Sequence, residues 1–444
     1  MATNDSLNTL HDAVDKGLST EIEQQVTELH PSEIANTLES LPFKQRAELW
    51  KVVDQEAVLS YLNGAVQLEL IEDMPAATVA RAIESMDTDD AVDMLQNLPD
   101  EVVEACLQEV DLEHYRRLRQ VLFYPENSAG GLMNTDILSL RTEMTVKMVL
   151  RYLRRFEKLP ERTDLLMVVD SNNHYRGVLF ITDLLTHNPR DLVEQIMSTN
   201  IEAIAADLSD HEVALLFEQR DLLSVPVVDK QGILLGRITI DDVVDVIRAE
   251  ADHHLMGRAG LDEEDDMFAP ILKTTRSRAI WLGVNLITAF LAAYVIGLFQ
   301  ATLEQMVALA VLLPIVASMG GIAGSQTLTI VIRGMALNQI SNTNIPWLLK
   351  KELAVAILNG ILWAIVVAVI AIIWFNNVIL GLIIGTALII NLFVAAFAGV
   401  LIPVLLKRLS IDPALAGSVT LTTITDVIGF GTLLGLATIL LKVS

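Results

Sequence analysis

The chain has a single cysteine, Cys106, in 444 residues. One thiol can form neither an intramolecular disulfide nor a thiolate metal site, and its expected place is a small buried position on a helix. Basic residues are scarce too: 31 Lys and Arg stand against 56 Asp and Glu, a formal charge of -25. The deficit is local. Residues 1–270 carry 22 basic and 52 acidic side chains, whereas Ile271 to Ser444 carry 9 and 4. An excess of thirty negative charges repels phosphate, which excludes nucleic acid as a partner and favours a cationic one. The N-terminal MATNDSLNTLHDAVDKG lacks both a basic patch and an apolar core, so no cleaved signal peptide is expected and the acidic part should stay in the cytoplasm. No HExxH string occurs, which argues against a metallopeptidase.

What is abundant after Ile271 is apolar sequence. Five stretches approach or exceed the roughly 20 residues needed to cross a bilayer: Ala279 to Phe299, Met306 to Ile332, Ile345 to Phe375, Val378 to Leu406 and Pro413 to Leu441. Lys273, Arg276 and Arg278 precede the first, Arg333, Lys350 and Lys351 follow the second, and Lys407 and Arg408 follow the fourth. Gln300 to Gln305 and Asn376 to Asn377 carry no Lys or Arg. By the positive-inside rule this multi-pass protein of the inner (plasma) membrane has its N-terminus in the cytoplasm and its C-terminus outside.

The acidic part reads as two modules. Up to about residue 125, apolar residues recur at helical spacing behind Pro, Asp or Ser. His30 to Pro42 recurs loosely as Asp73 to Met86, about 44 positions later, the spacing of stacked helix pairs. Further on, LMVVDSNNHYRGVLFITDLL (Leu166 to Leu185) aligns with VPVVDKQGILLGRITIDDVV (Val225 to Val244) at an offset of 59, which also relates Gly177 to Gly236 and Asp183 to Asp242. Met133-Asn134-Thr135 echoes Met197-Ser198-Thr199. This tandem β-α-β-β-α repeat resembles a CBS domain pair.

Chemistry is carried by what interrupts the apolar pattern. The second stretch contains Pro314, Gly320, Gly321 and Gly324, then Gln326, Thr327 and Thr329. Two readings fit the glycines: tight helix packing, or a weakened hydrogen-bond ladder whose carbonyls line a watery path. The fifth stretch places Asp426 near its middle, with Thr422 and Thr423 one turn earlier. An ionised carboxylate at that depth costs several kcal/mol and faces a polar path or a partner. No Lys, Arg or His lies deep in the five stretches to pair with it, so a mobile cation is the fitting partner. Carboxylate, hydroxyl, amide and carbonyl oxygens suit magnesium, calcium or manganese, and magnesium is commonly held through its water shell. Gly320, Gly321, Gly324, Gln326, Thr422, Thr423 and Asp426 are therefore the candidate pore residues.

The order of these modules and the strings SAGGLM (Ser128 to Met133), TIDDVVDVIRAEA (Thr239 to Ala251), Pro314 to Gln326, RGMAL (Arg333 to Leu337), DPALA (Asp412 to Ala416) and TTITD (Thr422 to Asp426) resemble the MgtE family of magnesium channels over nearly the whole length. The resemblance implies a multi-domain membrane protein. Its parts would be an α-helical N domain of helical repeats (1–130), tandem α/β CBS units (131–195 and 196–248), a connecting helix with an acidic linker (249–278) and a five-helix α transmembrane domain (279–444). It matches Asp426 to the family's pore aspartate. It also implies a homodimer whose cytoplasmic half binds magnesium between the N domain, CBS pair and connecting helix and so holds the gate shut. Asp89, Asp90 and Asp93, with Asp241, Asp242, Asp245, Glu250 and Asp252, are the acids for that role; facing carboxylates repel unless divalent ions bridge them. LDEEDDMFAP (Leu261 to Pro270) either joins them or is a flexible linker. One departure stands out: where family members commonly carry Asn after the paired glycines, this chain has Ile322. CBS units often hold the ribose of ATP or another adenine nucleotide with a Thr or Ser three residues before an Asp. Thr239 and Asp242 fit that spacing, whereas Phe180 precedes Asp183 in the first unit.

The expected function is magnesium uptake shut by intracellular magnesium, with no reaction catalysed. The competing reading is an ion-coupled secondary transporter of divalent cations including cobalt or manganese. An intramembrane aspartyl protease needs a second embedded Asp, and Asp412 sits at a helix start before Pro413. A CBS sensor without transport leaves Asp426 without a role.

Overall fold

The computed structural model describes residues 13–14, 19–71, 74–160, 162–257, 259–261, 267–341, 343–409 and 411–443. Asp73 and most of the acidic stretch after Leu261 lie outside them. Contacts divide the chain into two compact units, the first running through Ala251 and the second holding Asp252 and the helices from Ile271 onward.

The first unit opens with nine described helices: α1 (Ser19–Val26), α2 (Pro31–Glu39), α3 (Phe43–Trp50), α4 (Gln55–Val58), α5 (Gly64–Ile71), α6 (Ala76–Ser85), α7 (Thr88–Gln96), α8 (Asp100–Glu109) and α9 (Leu112–Val121). Their starts follow local chemistry. His30 and Glu33 form a capping box on α2, Asp111 accepts from the Glu113 and His114 amides at the start of α9, and Pro42, Pro75 and Pro99 immediately precede α3, α6 and α8. The two segments related by about 44 positions are α2 and α6, and Cys106 is buried on α8.

The repeat at offset 59 is visible strand by strand. β1 (Ser139–Arg141), α10 (Val146–Leu153), β2 (Leu165–Val169), β3 (Tyr175–Phe180) and α11 (Ile181–Thr186) are followed by α12 (Val193–Ile196). The second copy is β4 (Ile204–Ala205), α13 (Asp210–Arg220), β5 (Ser224–Val228), β6 (Leu234–Thr239) and α14 (Ile240–Gly257). In each sheet the first strand pairs parallel to the second and the second antiparallel to the third. Val168 faces Gly177 as Val227 faces Gly236, and each hairpin has an irregularity just after that pair. The echoed opening segments cross over: Asn134 bridges Arg237 of the second copy and Ser198 bridges Val178 of the first. The crossing explains both glycines. A Cβ on Gly177 would stand 2.5 Å from the Ser198 carbonyl oxygen, and one on Gly236 would stand 2.7 Å from that of Asn134. One continuous core joins the helices to Val213, Phe217, Val225 and Ile238 of the second CBS unit, while the first keeps its own core around Leu140, Val168 and Leu179. The N domain is therefore docked on the second CBS unit.

In the second unit, five described helices are long and apolar enough to cross a membrane: α15 (Ile271–Gly297), α17 (Ala308–Ala336), α18 (Ile345–Phe375), α19 (Val378–Arg408) and α20 (Pro413–Val443), with the short α16 (Gln300–Gln305) after the first. α19 is buried along its length and packs against α17, α18 and α20. Asp412 caps α20, accepting from the Ala414 amide at 2.8 Å, and His253 Nε2 lies 2.6 Å from its other oxygen. α17 is one continuous helix through Pro314 and its glycines, which of the two readings of those glycines favours tight helix packing.

Candidate ion path and acidic cluster

Asp426 stands thirteen residues into α20, about 20 Å along its axis. Among the described residues its carboxylate has neither an ion-pair nor a hydrogen-bond partner. The threonines beside it are engaged with their own helix: Thr422 Oγ1 donates to Ser418 and Val419 carbonyls, and Thr423 Oγ1 to Val419. Their protons are committed and their lone pairs remain available to a cation or its water.

α17 and α20 run antiparallel through small contacts. Gly324 packs on Leu421, Leu328 on Gly417 and Val316 on Gly429, so Asp426 lies level with Met319 and Gly320. Gly320 meets the Asn391 side chain of α19. Gly320 and Gly324 thus serve helix packing, which corrects their assignment as ion ligands: a buried glycine in an unbroken helix has its carbonyl occupied by the ladder. Gly321 alone of the three faces open space. Gln326 lies on an outward stripe with Ser318, Ile322 (57% exposed) and Ile330.

A second acid escaped the sequence reading. Glu352, buried near the start of α18, accepts from Lys351 Nζ at 3.0 Å and Thr327 Oγ1 at 3.3 Å. Its charge is neutralised locally, which leaves Asp426 the unpaired one.

In the first unit, docking of the N domain brings α7 against the start of α14. Asp89 and Asp242 lie close together, and burial, with Asp242 and Asp90 nearby, holds the Asp89 carboxyl well above the usual range. Burial, then Asp87, Asp242 and Asp241, lifts Asp90 to about 7. Burial, then Glu126, Asp90, Asp242 and Asp245, lifts Asp93 to about 7. Asp242 and Asp245 are raised chiefly by burial as well. Arg162 reaches into the same group, 2.7 Å from Asp241 and 3.7 Å from Asp87. Asp89 Oδ1 is buried with no hydrogen-bond partner. Oxygen-only, over-acidic and carrying an orphaned carboxylate oxygen, the group fits a hard cation. Among the described residues no three His, Cys, Asp or Glu converge into a ready-made coordination sphere.

Six of the eight acids assigned to this role come together. Glu250 does not: it pairs with His211 at 2.9 Å. Asp252 belongs to the second unit. Glu126 and Asp87 are additions that sequence alone missed; Asp87 opens the DTDD string that ends in Asp89 and Asp90, whereas Glu126 reaches Asp93 only through the fold. The Thr239 hydroxyl donates to Asp241 and Asp242, and the Thr239 amide to Asp242 at 3.0 Å. These two residues cap the start of α14, and Asp242 faces Asp89 rather than an open ribose site.

The profile of the MgtE divalent cation transporter matches residues 313–436, that of the MgtE intracellular N domain 29–127, and that of the CBS domain 129–189 and 193–249. The magnesium transporter MgtE of Bacillus subtilis is 29% identical over 93% of this chain and 92% of its own length. That of Enterococcus faecalis is 30% identical over 71% and 69%. The solved cytosolic domain of the Mg2+ channel MgtE in complex with ATP is similar at a TM-score of 0.50 and 30% identity, over 54% of this chain and 99% of that one.

Proposed function

Because the chain belongs to the MgtE family of divalent cation transporters, we propose that it is a channel for hydrated magnesium, closed from the cytoplasmic side by magnesium bound at the acidic cluster. The observation that carries this reading is Asp426, a mid-span carboxylate without a partner among the described residues. With the N-terminus in the cytoplasm and the membrane negative inside, a divalent ion gains about 4.6 kcal/mol per 100 mV on entry, enough for passive uptake. Proteoliposomes holding the full chain should take up magnesium under a potassium-diffusion potential with sodium absent and no proton gradient. Uptake that needs either co-ion points to the coupled-transporter reading instead.

A homodimer is supported by the outward stripe of α17. Ser318 and Gln326 are exposed in the single chain, and polar groups at membrane depth call for protein or a water-filled cavity beside them. A two-fold axis along this stripe would bring two copies of α17 face to face and line a path with their polar groups. Ile322 shares the stripe, so Ile322→Asn should place an amide on the path and change the magnesium-to-cobalt uptake ratio severalfold at unchanged expression. An unchanged competition curve would show that the position faces lipid.

Adenine nucleotide binding to the cytoplasmic half is supported by the ATP-bound relative. It requires the Thr239 and Asp242 cap on α14 to open, so Thr239→Ala should abolish nucleotide-induced thermal stabilisation of the full chain if this pair holds the ribose.

A further inference from the structure

Asn391, midway along α19, is fully buried, and its Nδ2 donates to the Val316 carbonyl of α17 at 2.9 Å. That acceptor fixes which way the amide points, because only the NH2 end can face a carbonyl. Its Oδ1 is then buried with no partner, the only such side-chain atom among the described residues of the five membrane helices. The amide fills a notch made by two glycines. A Cβ on Gly320 of α17 would stand 2.2 Å from Nδ2, and one on Gly429 of α20 would stand 2.8 Å from it.

Gly429 lies one helical turn beyond Asp426, and Gly320 is level with Asp426 and next to the outward-facing Gly321. The amide therefore wedges together the two helices that carry the candidate ion path, at the height of the carboxylate. Leucine has the same branched outline, although it is bulkier, and would leave no unpaired oxygen in an apolar surrounding, so the amide is not explained by burial alone. Its directional bond to Val316 fixes an axial register that apolar packing leaves free to slide by fractions of an ångström. An oxygen-lined path discriminates between ions by such distances.

We propose that Asn391 is a positioning residue for the ion path: its buried amide locks the Gly320 turn of α17 to the Gly429 turn of α20 and so sets the preference among hydrated divalent cations. The proposal rests on the transport reading above. The test uses the full chain in proteoliposomes, with magnesium and cobalt uptake measured for Asn391→Leu, Gly429→Ala and the double variant. Each single change displaces or removes the same amide. Each should shift the magnesium-to-cobalt ratio by about tenfold in protein that elutes and melts like the parent, and the double variant should shift it no further, because both act through one contact. A well-folded Asn391→Leu protein with the parental ratio overturns the proposal, as do single effects that add. Should Asn391→Leu fail to insert, Gly429→Ala decides: an unchanged ratio there also overturns it. A parent that carries neither ion sinks the transport reading and this inference together, whereas unchanged ratios in a transporting parent sink this inference alone.

Discussion

Asp426→Ala should reduce magnesium flux by at least a hundredfold while the protein is made, inserted and folded as before. A divalent ion about 5 Å from a carboxylate, across one layer of water, is attracted by about 7 kcal/mol at an effective dielectric of about 20. The ion gives up part of that in partial dehydration, yet losing even 3 kcal/mol of net stabilisation slows passage by more than a hundredfold. Stability should not suffer, because the side chain removed is an unpaired acid in an apolar helix and no described residue loses a partner with it. Asp426→Asn keeps the shape and an oxygen but removes the charge, so it should fall nearly as far. Uptake of magnesium by vesicles loaded with an indicator dye is the measurement, with protein content matched by blot. Parental flux in Asp426→Ala would remove Asp426 from the path. A collapse that Asp426→Asn fully rescues would assign the effect to hydrogen bonding rather than charge.

The membrane half was legible because its signals are local. Twenty-residue apolar runs, flanking cations and one acid in the fifth run each sit in a few consecutive residues, and the five helices of the structure follow them closely. The CBS repeat was legible for the same reason: its offset of 59 reappears in strand register, residue against residue. What escaped depends on residues far apart in sequence. Asn391 looks like one polar position in a long apolar run until Val316 and Gly429 meet it. Glu352 looks like part of a cytoplasmic KKE string, yet it is buried because Thr327 of another helix comes to it. The glycines of α17 were ambiguous from sequence, since packing and pore lining use the same residue. Only the faces they present separate Gly320 and Gly324, pressed on neighbouring helices, from Gly321, which is open. Charge counting found the acidic half but not its arrangement. Asp89 and Asp93 share a helix face by spacing alone, whereas their meeting with Asp242, Asp245 and Glu126 required the N domain to dock on the second CBS unit.

Neutralising that cluster with Asp89→Asn, Asp93→Asn and Asp245→Asn should leave the channel open at magnesium concentrations that shut the parent, raising the closing concentration by about tenfold or more. Two effects compete. The substitutions remove repulsion, which favours docking, and remove the oxygens that a bridging ion needs, which opposes it. Bridging should dominate, because a contact to a charged group is worth about 1.5–3 kcal/mol and general screening cannot replace directional oxygen ligands, while Arg162 already offsets part of the repulsion. Protons offer an independent check. Asp90 and Asp93 rise from 3.8 to about 7 in the docked arrangement, so protonation favours docking. That contribution is complete below about pH 4 and fades as pH climbs to about 7, where both acids ionise and docking comes to depend on cations. Limited proteolysis of the full chain in chelator should show the first unit better protected at pH 6 than at pH 8. Magnesium should restore protection at pH 8 in the parent and not in the triple variant. Equal protection of parent and variant across the magnesium titration would reduce these acids to a solvated surface, and a variant that closes at lower magnesium than the parent would show repulsion to be the larger effect.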